Sequence, residues 1–464
     1  MPKVCLIIID GFGISKYQTG NSTQVCKFIW NLMKTEKSVE LHASGKWVGI
    51  VDGVAGNSEV GHLTLGSGRV IEQSLLKIPR LYHNGELKQL ISNLPKISKR
   101  VHLVGLLSDG KVHSDYNHVK YITNSLPEQH EIFIHAISDG IDTLPKTFKK
   151  FFNKFSNIAS VSGRYFSMDR DQNWMRIQKS FDMMTKGIMQ NFDIDKLYAD
   201  GIHDEFIEPV LIGEERIEPA DTVILFNFRA DRMRQLYSKF KEYCITYTLT
   251  DYELDDPNSI IKTESIENSL SKWLEIHQKN QVHIAETEKY AHVTYFFNGG
   301  KEIKQENEHW IIVNSPKTES FVRTPGTSMK EVIDETVKHI HQGFDFIVAN
   351  LAAPDLVGHT GDLEKTTESC SILDNLIQNV YKSCLQNGYT LLLTADHGNS
   401  ECMIYEGDVN KSHTTNKVPF IVINSELKVE IREEYSLKDV APTILKILNL
   451  PKPKEMTGCS ILNE

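Results

Sequence analysis

Several features are scarce or missing in this sequence, and each absence narrows what the chain can be. Its opening apolar run, Val4 to Ile9, is too short to span a bilayer or to serve as a signal peptide. The seven cysteines (Cys5, Cys26, Cys244, Cys370, Cys384, Cys402, Cys459) are odd in number, scattered, and form no Cys-x-x-Cys pair. That spacing argues against a disulfide framework or a zinc ribbon and makes a reducing cytoplasm the expected location. Positive charge is also short, with 51 Lys and Arg against 61 Asp and Glu and a net charge of −10. Such a balance excludes a protein whose main task is to coat nucleic acid or an anionic membrane. Repeats and low-complexity tracts are absent. What remains is an ordinary folded composition, 24% charged and 40% hydrophobic over 464 residues, which suits two or three domains.

The run Val4–Ile9 is β-branched and unbroken, the pattern of a strand buried on both faces, and it ends at the turn Asp10-Gly11-Phe12-Gly13. The C-terminal third repeats the layout. Residues 344–350 read as a strand followed by a loop with Asp355 and His359. A helical spacing of Ile372, Leu373, Leu376, Ile377 and Val380 within 363–386 stops near Gly388. A second buried strand, 389–394, then ends in Ala395-Asp396-His397-Gly398. Strand, helix, strand at these lengths predicts a βαβ unit and a parallel sheet, with Asp10, Asp355 and Asp396 at the carboxyl ends where such sheets bind ligands. The middle of the chain alternates in its own way, with strands expected at 101–107, 131–137 and 157–161. The acidic segment 249–269, containing Asp255-Asp256-Pro257, reads as the linker back. The expected organisation is therefore an α/β protein with a mostly parallel sheet, built from a discontinuous domain (1–72 and 268–464) and a smaller inserted α/β domain (73–267).

Four segments carry candidate metal ligands: Asp10; Ser58 within Gly56-Asn-Ser-Glu-Val-Gly-His62; Asp355-Leu-Val-Gly-His359; and Asp396-His397 with His413 beyond. Mixed carboxylate and imidazole donors suit Mn²⁺ or Zn²⁺ rather than Ca²⁺ or Mg²⁺. Seven positions including one hydroxyl suggest two ions flanking a nucleophilic oxygen. Taken singly each segment has a plain structural reading: a turn at Asp10, a loop brace for Asp355 and His359, a helix cap at Asn57-Ser58. Their joint occurrence at strand ends favours chemistry. A second group is basic. Arg164 and Arg170 follow the 157–161 strand, and Arg229 and Arg232 follow 222–226. They read either as an anion pocket or as ion pairs with neighbouring Asp169, Asp171 and Asp231.

These residues together resemble the cofactor-independent phosphoglycerate mutases of the alkaline phosphatase superfamily. The matching segments are 6–13, 56–62, Gly105-Leu-Leu-Ser-Asp-Gly110 with Val112-His-Ser114, 162–165 with 168–171, 198–202, 227–232, Ala285-Glu-Thr-Glu-Lys-Tyr-Ala-His-Val-Thr294, 354–361, 394–399 and 413–416, in family order along the chain. The resemblance implies an alkaline-phosphatase-like fold for the discontinuous domain. It implies interconversion of 3-phosphoglycerate and 2-phosphoglycerate without 2,3-bisphosphoglycerate, with Ser58 as the nucleophile that becomes phosphoserine. One metal would be held by Asp355, His359 and His413, the other by Asp10, Ser58, Asp396 and His397; Mn²⁺ is expected, with Zn²⁺ or Co²⁺ as alternatives. The inserted domain would bind phosphoglycerate through His113, Arg164, Arg170, Arg229 and Arg232. Lys289 would contact the transferring phosphoryl group, and Asp142 would act as the acid/base on the glycerate hydroxyls. The resemblance also implies a monomer with no nucleic-acid or membrane partner. Retaining glycerate implies domain closure, with hinges expected near Gln73 and near residues 264–268.

The sequence departs from the family pattern at a few points. Ile141 stands in Asp139-Gly-Ile-Asp142 where an arginine is expected, Lys111 stands where glycine is common, and Asp115 replaces a usual histidine. A hydrolase or a mutase for another small phosphate ester is thus an open alternative, and so is a catalytically dead scaffold, against which the full ligand set counts. Because His359, His397 and His413 ligate only when deprotonated, activity is expected to fall steeply on acidification. A pH–rate profile measures this, and a flat profile between mildly acid and neutral pH would count against histidine ligation.

Overall fold

The computed structural model describes residues 2–253, 256–263 and 265–463. The chain divides into two compact units, Met1–Gln73 with Ser265–Glu464, and Ser74–Glu264.

The discontinuous unit is built on an eight-stranded sheet. Its order is Glu308–Val313, Gln281–Glu286, Phe346–Leu351, Lys3–Ile9, Tyr389–Thr394, Val418–Ile423, Lys37–His42 and Tyr435–Ser436. The first five strands run parallel, and Val418–Ile423 is antiparallel to both its neighbours. Lys3–Ile9 lies between the two strands of the expected βαβ unit, pairing Ile8 with Asn350 on one side and with Thr394 on the other. All three central strands are buried along almost their whole length. Burying an Ile, Val or Leu contributes about 1.5–3 kcal/mol, so an unbroken β-branched run is stable only at a sheet centre covered on both faces. The crossover helix Leu363–Asn387 starts where Asp362 accepts a hydrogen bond from the Lys365 amide (2.9 Å) and stops at Gly388, whose φ of +71° a side chain would strain.

The second unit has its own seven-stranded sheet, ordered Val210–Leu211, Ile158–Gly163, Glu131–Ser138, Arg100–Leu106, Thr222–Leu225, Ile245–Thr250 and Ser259–Ile261, parallel except for Val210–Leu211. Here one sequence expectation fails. The segment 249–269 is not a linker throughout, because Ser259–Ile261 is the sheet's edge strand. Its acidic run looks solvated, yet Asp256 is fully buried. Asp256 accepts hydrogen bonds from the Tyr237 hydroxyl (2.8 Å) and the Asn258 amide (3.0 Å). Asp255, and Glu264 of the expected hinge, lie outside the described residues.

A buried polar chain crosses this sheet. His102 Nε2 lies 3.1 Å from Asp221 Oδ2, His102 Nδ1 lies 2.9 Å from His135 Nε2, and His135 Nδ1 lies 2.7 Å from Ser160 Oγ. Donation running from Ser160 through both rings to Asp221 satisfies every atom with neutral imidazoles. Burial, reinforced by Arg100, pushes His102 down to about 3; burial, then His102 and Arg100, also depress His135. With folded pKa values below the unfolded 6.5, this contribution to stability is present above pH 6.5 and lost as pH falls below it. Urea unfolding is therefore expected to show a loss of about 1 kcal/mol per buried histidine between pH 7 and pH 5.5. His135→Gln should remove its share of that slope.

Candidate active site

In the discontinuous unit the candidate functional side chains sit at the carboxyl ends of four neighbouring strands. Asp10 follows Lys3–Ile9, Lys289 ends the turn after Gln281–Glu286, Asp355 lies in the short helix Ala353–Gly358 after Phe346–Leu351, and Asp396 and His397 follow Tyr389–Thr394. Ser58 is the first residue of the helix Ser58–Ser67. Asn57 caps it by accepting from the Val60 amide at 3.0 Å. The cap and the candidate nucleophile are thus one device, since the cap leaves Ser58 at a helix N-terminus, where the helix field favours negative charge.

Ser58 Oγ lies 2.7 Å from Lys289 Nζ, 3.0 Å from His397 Nε2 and 3.2 Å from Asp10 Oδ1. Lys289 Nζ also donates to Asp10 Oδ1 and Asp355 Oδ2, both at 2.8 Å. Burial alone would discharge this amine, but Asp10, Asp355 and Asp396 outweigh burial and raise its pKa. Among the carboxyls, Asp10 is raised by burial and by Asp396. Burial would also raise Asp355 and Asp396, yet Lys289 outweighs it at Asp355, and His397, His62 and Lys289 outweigh it at Asp396, so both are lowered.

His359, His413 and Asp355 form a second focus. Their Nδ1 atoms face backbone oxygens, His359 that of Lys411 (2.8 Å) and His413 that of Gly56 (2.9 Å). Donation to those oxygens leaves both Nε2 lone pairs free. The two Nε2 atoms lie 2.9 Å apart, and each is 3.3 Å from Asp355 Oδ1. Two ring nitrogens and a carboxylate oxygen converging in this way suit a cation, with the ring tautomers locked as metal-bound histidines require. Asp396 Oδ2 is buried without a hydrogen-bond partner, because His62 Nδ1, 3.3 Å away, lies closer to the Ser58 carbonyl at 2.8 Å. The residues present therefore fit bound divalent cations, and the N- and O-donor set matches Mn²⁺, Zn²⁺ or Co²⁺.

All eight expected residues of this unit come together: Asp10, Ser58, Lys289, Asp355, His359, Asp396, His397 and His413. Three neighbours were not singled out from sequence. Asn350 donates to Asp10 Oδ2 (2.8 Å) and approaches His62 Nε2 (3.0 Å), and Asn399 donates to Asp355 Oδ1 (2.8 Å). His62 carried a usable signal, since it stands four residues after Ser58 on the same helix face; Asn350 and Asn399 carried none beyond lying at strand ends.

In the second unit the six expected residues are also neighbours. Arg164 Nη1 donates to Asp139 Oδ1 (2.6 Å) and Asp142 Oδ2 (2.7 Å). His113 lies between Asp142 (3.9 Å) and Asp231 (3.7 Å). Asp231 pairs with both Arg170 and Arg229 at 3.1 Å. Burial, then Arg170 and Arg164, lower Arg232, a sign that these guanidiniums crowd one another. Burial and Arg164 push His113 down to about 4, so the ring is neutral and its buried Nδ1 lacks a partner. Of the ion pairs expected with Asp169, Asp171 and Asp231, those of Arg170 and Arg229 with Asp231 form, whereas Arg164 pairs with Asp139 and Asp142, and Asp169 pairs with Arg176. Asp139, unassigned from sequence, receives Ser108, the Ile141 and Asp142 amides and Arg164, and so shapes the loop bearing Asp142. The Ile141 side chain is exposed there. Lys111 has φ +59°, a backbone conformation that favours glycine.

A family model described as the metalloenzyme superfamily matches residues 2–452. The chain is 36% identical over 504 aligned residues to a 2,3-bisphosphoglycerate-independent phosphoglycerate mutase of Clostridium botulinum, covering 99% of both chains. It is 37% identical to the enzyme of that name from Onchocerca volvulus, covering 100% of this chain and 99% of the relative. The chain belongs to the 2,3-bisphosphoglycerate-independent phosphoglycerate mutase family. The fold agrees with that membership. A crystal structure of Leishmania mexicana phosphoglycerate mutase at low cobalt concentration superposes with a TM-score of 0.67 at 24% identity, over 100% of this chain and 98% of that one. No described helix is long and apolar enough to cross a membrane.

Replacing Lys289 leaves Asp10 and Asp355 as buried carboxylates without their cation. Stranding a buried charge in this way costs about 3–5 kcal/mol. Lys289→Met is therefore expected to lower the melting temperature of EDTA-stripped protein sharply, and that of protein in excess Mn²⁺ much less. Thermal unfolding under both conditions checks this; equal losses would contradict it.

Proposed function

We propose that this enzyme interconverts 3-phosphoglycerate and 2-phosphoglycerate through a phosphoserine on Ser58 at a two-metal site. The observation that carries the reading is the surroundings of Ser58 Oγ, with Lys289 Nζ at 2.7 Å, His397 Nε2 at 3.0 Å and a helix N-terminus behind it. Asp355, His359 and His413 would hold one cation and Asp10, Ser58, Asp396 and His397 the other, most simply both Mn²⁺. Such cations lower the pKa of a coordinated hydroxyl and neutralise charge on a transferring phosphoryl group.

In this reading Ser58, deprotonated beforehand and held as the alkoxide, attacks phosphorus through Oγ, the bond from phosphorus to the C3 oxygen breaks, and Asp142, protonated at the start of the step, gives its proton to that oxygen. Asp142 then takes the proton of the 2-hydroxyl, whose oxygen attacks phosphorus and releases Ser58. Lys289, donating to Ser58 Oγ, is placed to follow the charge onto the phosphoryl oxygens. His113, Arg164, Arg170, Arg229 and Arg232 would hold the glycerate carboxylate and hydroxyls while the phosphoryl group resides on serine. Arginine forks grip carboxylates in two-point fashion, and neutral His113 has a free ring nitrogen for a hydroxyl. Asp231, already paired with Arg170 and Arg229, would keep those two cations together until the substrate anion arrives. The cytoplasm and a monomeric state complete the proposal.

The test is 2-phosphoglycerate formation from 3-phosphoglycerate coupled to enolase, without 2,3-bisphosphoglycerate and with Mn²⁺ or EDTA. Turnover with Mn²⁺ that EDTA abolishes is expected. Ser58→Ala should cost at least roughly 10⁴-fold in kcat, as removing a nucleophile does. Free phosphate in place of 2-phosphoglycerate would instead indicate a phosphatase, with Ile141 the first residue to suspect.

A further inference from the structure

We infer that Glu401 is a positioning residue that fixes the spacing of three ligand-bearing turns. This inference rests on the two-metal reading of the site. Glu401 is only 1% exposed, and its carboxylate receives four hydrogen bonds from three separate segments. Oε2 accepts from the backbone amides of Gly13 (2.9 Å) and Asn399 (2.8 Å). Oε1 accepts from the Asn416 side-chain amide (2.9 Å) and from the Thr414 hydroxyl. Each donor lies close in sequence to a candidate ligand. Gly13 comes three residues after Asp10, Asn399 two after His397, and Thr414 directly after His413. One carboxylate therefore ties the turn after Asp10 to two turns nearly 400 residues further along the chain.

The packing around Glu401 bears this out in two ways. A Cβ on Gly13 would lie 2.3 Å from the Glu401 carboxyl carbon, and one on Gly398 would lie 2.4 Å from Oε1 and 2.2 Å from Thr414 Oγ1. Glycine at these positions is thus required by the approach of Glu401. The same turns are also joined through their backbones, from the Ser400 amide to the Gly11 carbonyl (2.9 Å) and from the Thr414 amide to the Gly398 carbonyl (3.0 Å). The carboxylate completes a frame in which Asp10, His397 and His413 cannot shift independently. It acts only through them.

Glu401→Gln isolates the effect. Glutamine keeps the shape but has one acceptor oxygen. The Gly13 and Asn399 amides cannot reverse their polarity, so the oxygen must serve them, and the new NH₂ faces Thr414 and Asn416. The Thr414 hydroxyl must then accept rather than donate, or the Asn416 amide must turn its oxygen to the new NH₂, so the hold on the turn carrying His413 is weakened to neutral hydrogen bonds and its backbone bond to Gly398, while the turns carrying Asp10 and His397 stay held. Mn²⁺ titration of metal-stripped full-length protein, by calorimetry and electron paramagnetic resonance, is expected to show one of two ions weakened about 10–100-fold, the size of effect seen when support behind a ligand is removed. Binding of the other ion should stay near wild type. The KM for 3-phosphoglycerate should be unchanged, and kcat should recover at high Mn²⁺. Thr414→Val combined with Asn416→Leu, which leaves Glu401 in place, should weaken the same ion. Unchanged Mn²⁺ affinities in both variants, or a lowered melting temperature of the stripped protein with unchanged affinities, would overturn the inference and make Glu401 a brace of the fold. Failure of the wild-type chain to take up two Mn²⁺ would overturn the two-metal reading itself, and the inference with it.

Discussion

The structure depends on keeping like charges together out of water. Asp10, Asp355 and Asp396 are all buried at the ends of adjacent parallel strands, and candidate ligand atoms of Asp10, Asp355 and His397 lie within 4.8 Å of one another. Carboxylates that close repel, and burial penalises each one further. Lys289 answers part of this with a single ammonium shared between Asp10 and Asp355. Asn350 and Asn399 satisfy further oxygens, and a helix N-terminus faces the same point. The arrangement leaves Asp396 Oδ2 and the paired Nε2 atoms of His359 and His413 without donors. An assembly so rich in acceptors fits bound cations.

The second unit solves the opposite problem with the same means. Its clustered guanidiniums repel, and Asp139, Asp142 and Asp231 are interleaved among them. Carboxylates that neutralise the cluster also orient the forks, because a guanidinium held on one side presents its remaining N–H groups on the other. Ion pairing and clustering are therefore not competing descriptions of these arginines. Arg170 and Arg229 remain half exposed while paired to one carboxylate.

Much of this was legible in the sequence, for particular reasons. Val4–Ile9 and 389–394 could only be buried strands, since no other element accommodates an unbroken run of such side chains at that length. The helix 363–387 announced itself by its spacing and its terminal glycine. Asp10, Ser58, Asp355, Asp396 and His397 stood out because each follows or caps such an element. The segment 249–269 misled because its acidic run suggested a linker, whereas it holds the edge strand Ser259–Ile261 and Asp256 is buried as an acceptor for Tyr237 and the Asn258 amide. Burial of a polar side chain depends on partners distant in sequence, and composition cannot reveal those. The same holds for Glu401, Asn350 and Asp139, which take partners from other segments.

What the sequence by itself determined was the set of elements and the chemistry at their ends: apolar periodicity is local, and a carboxylate or imidazole after a strand is visible without knowing the fold. What only the tertiary structure decided was which of those ends meet and what holds them at their distances. Strand order places Lys3–Ile9 between Phe346–Leu351 and Tyr389–Thr394, and so brings Asp10 beside residues more than 300 positions away. Whether a given polar side chain there is ligand, counter-ion or support is set by distances of a few tenths of an ångström, because hydrogen bonds and ion pairs in a buried site are strong only when aligned.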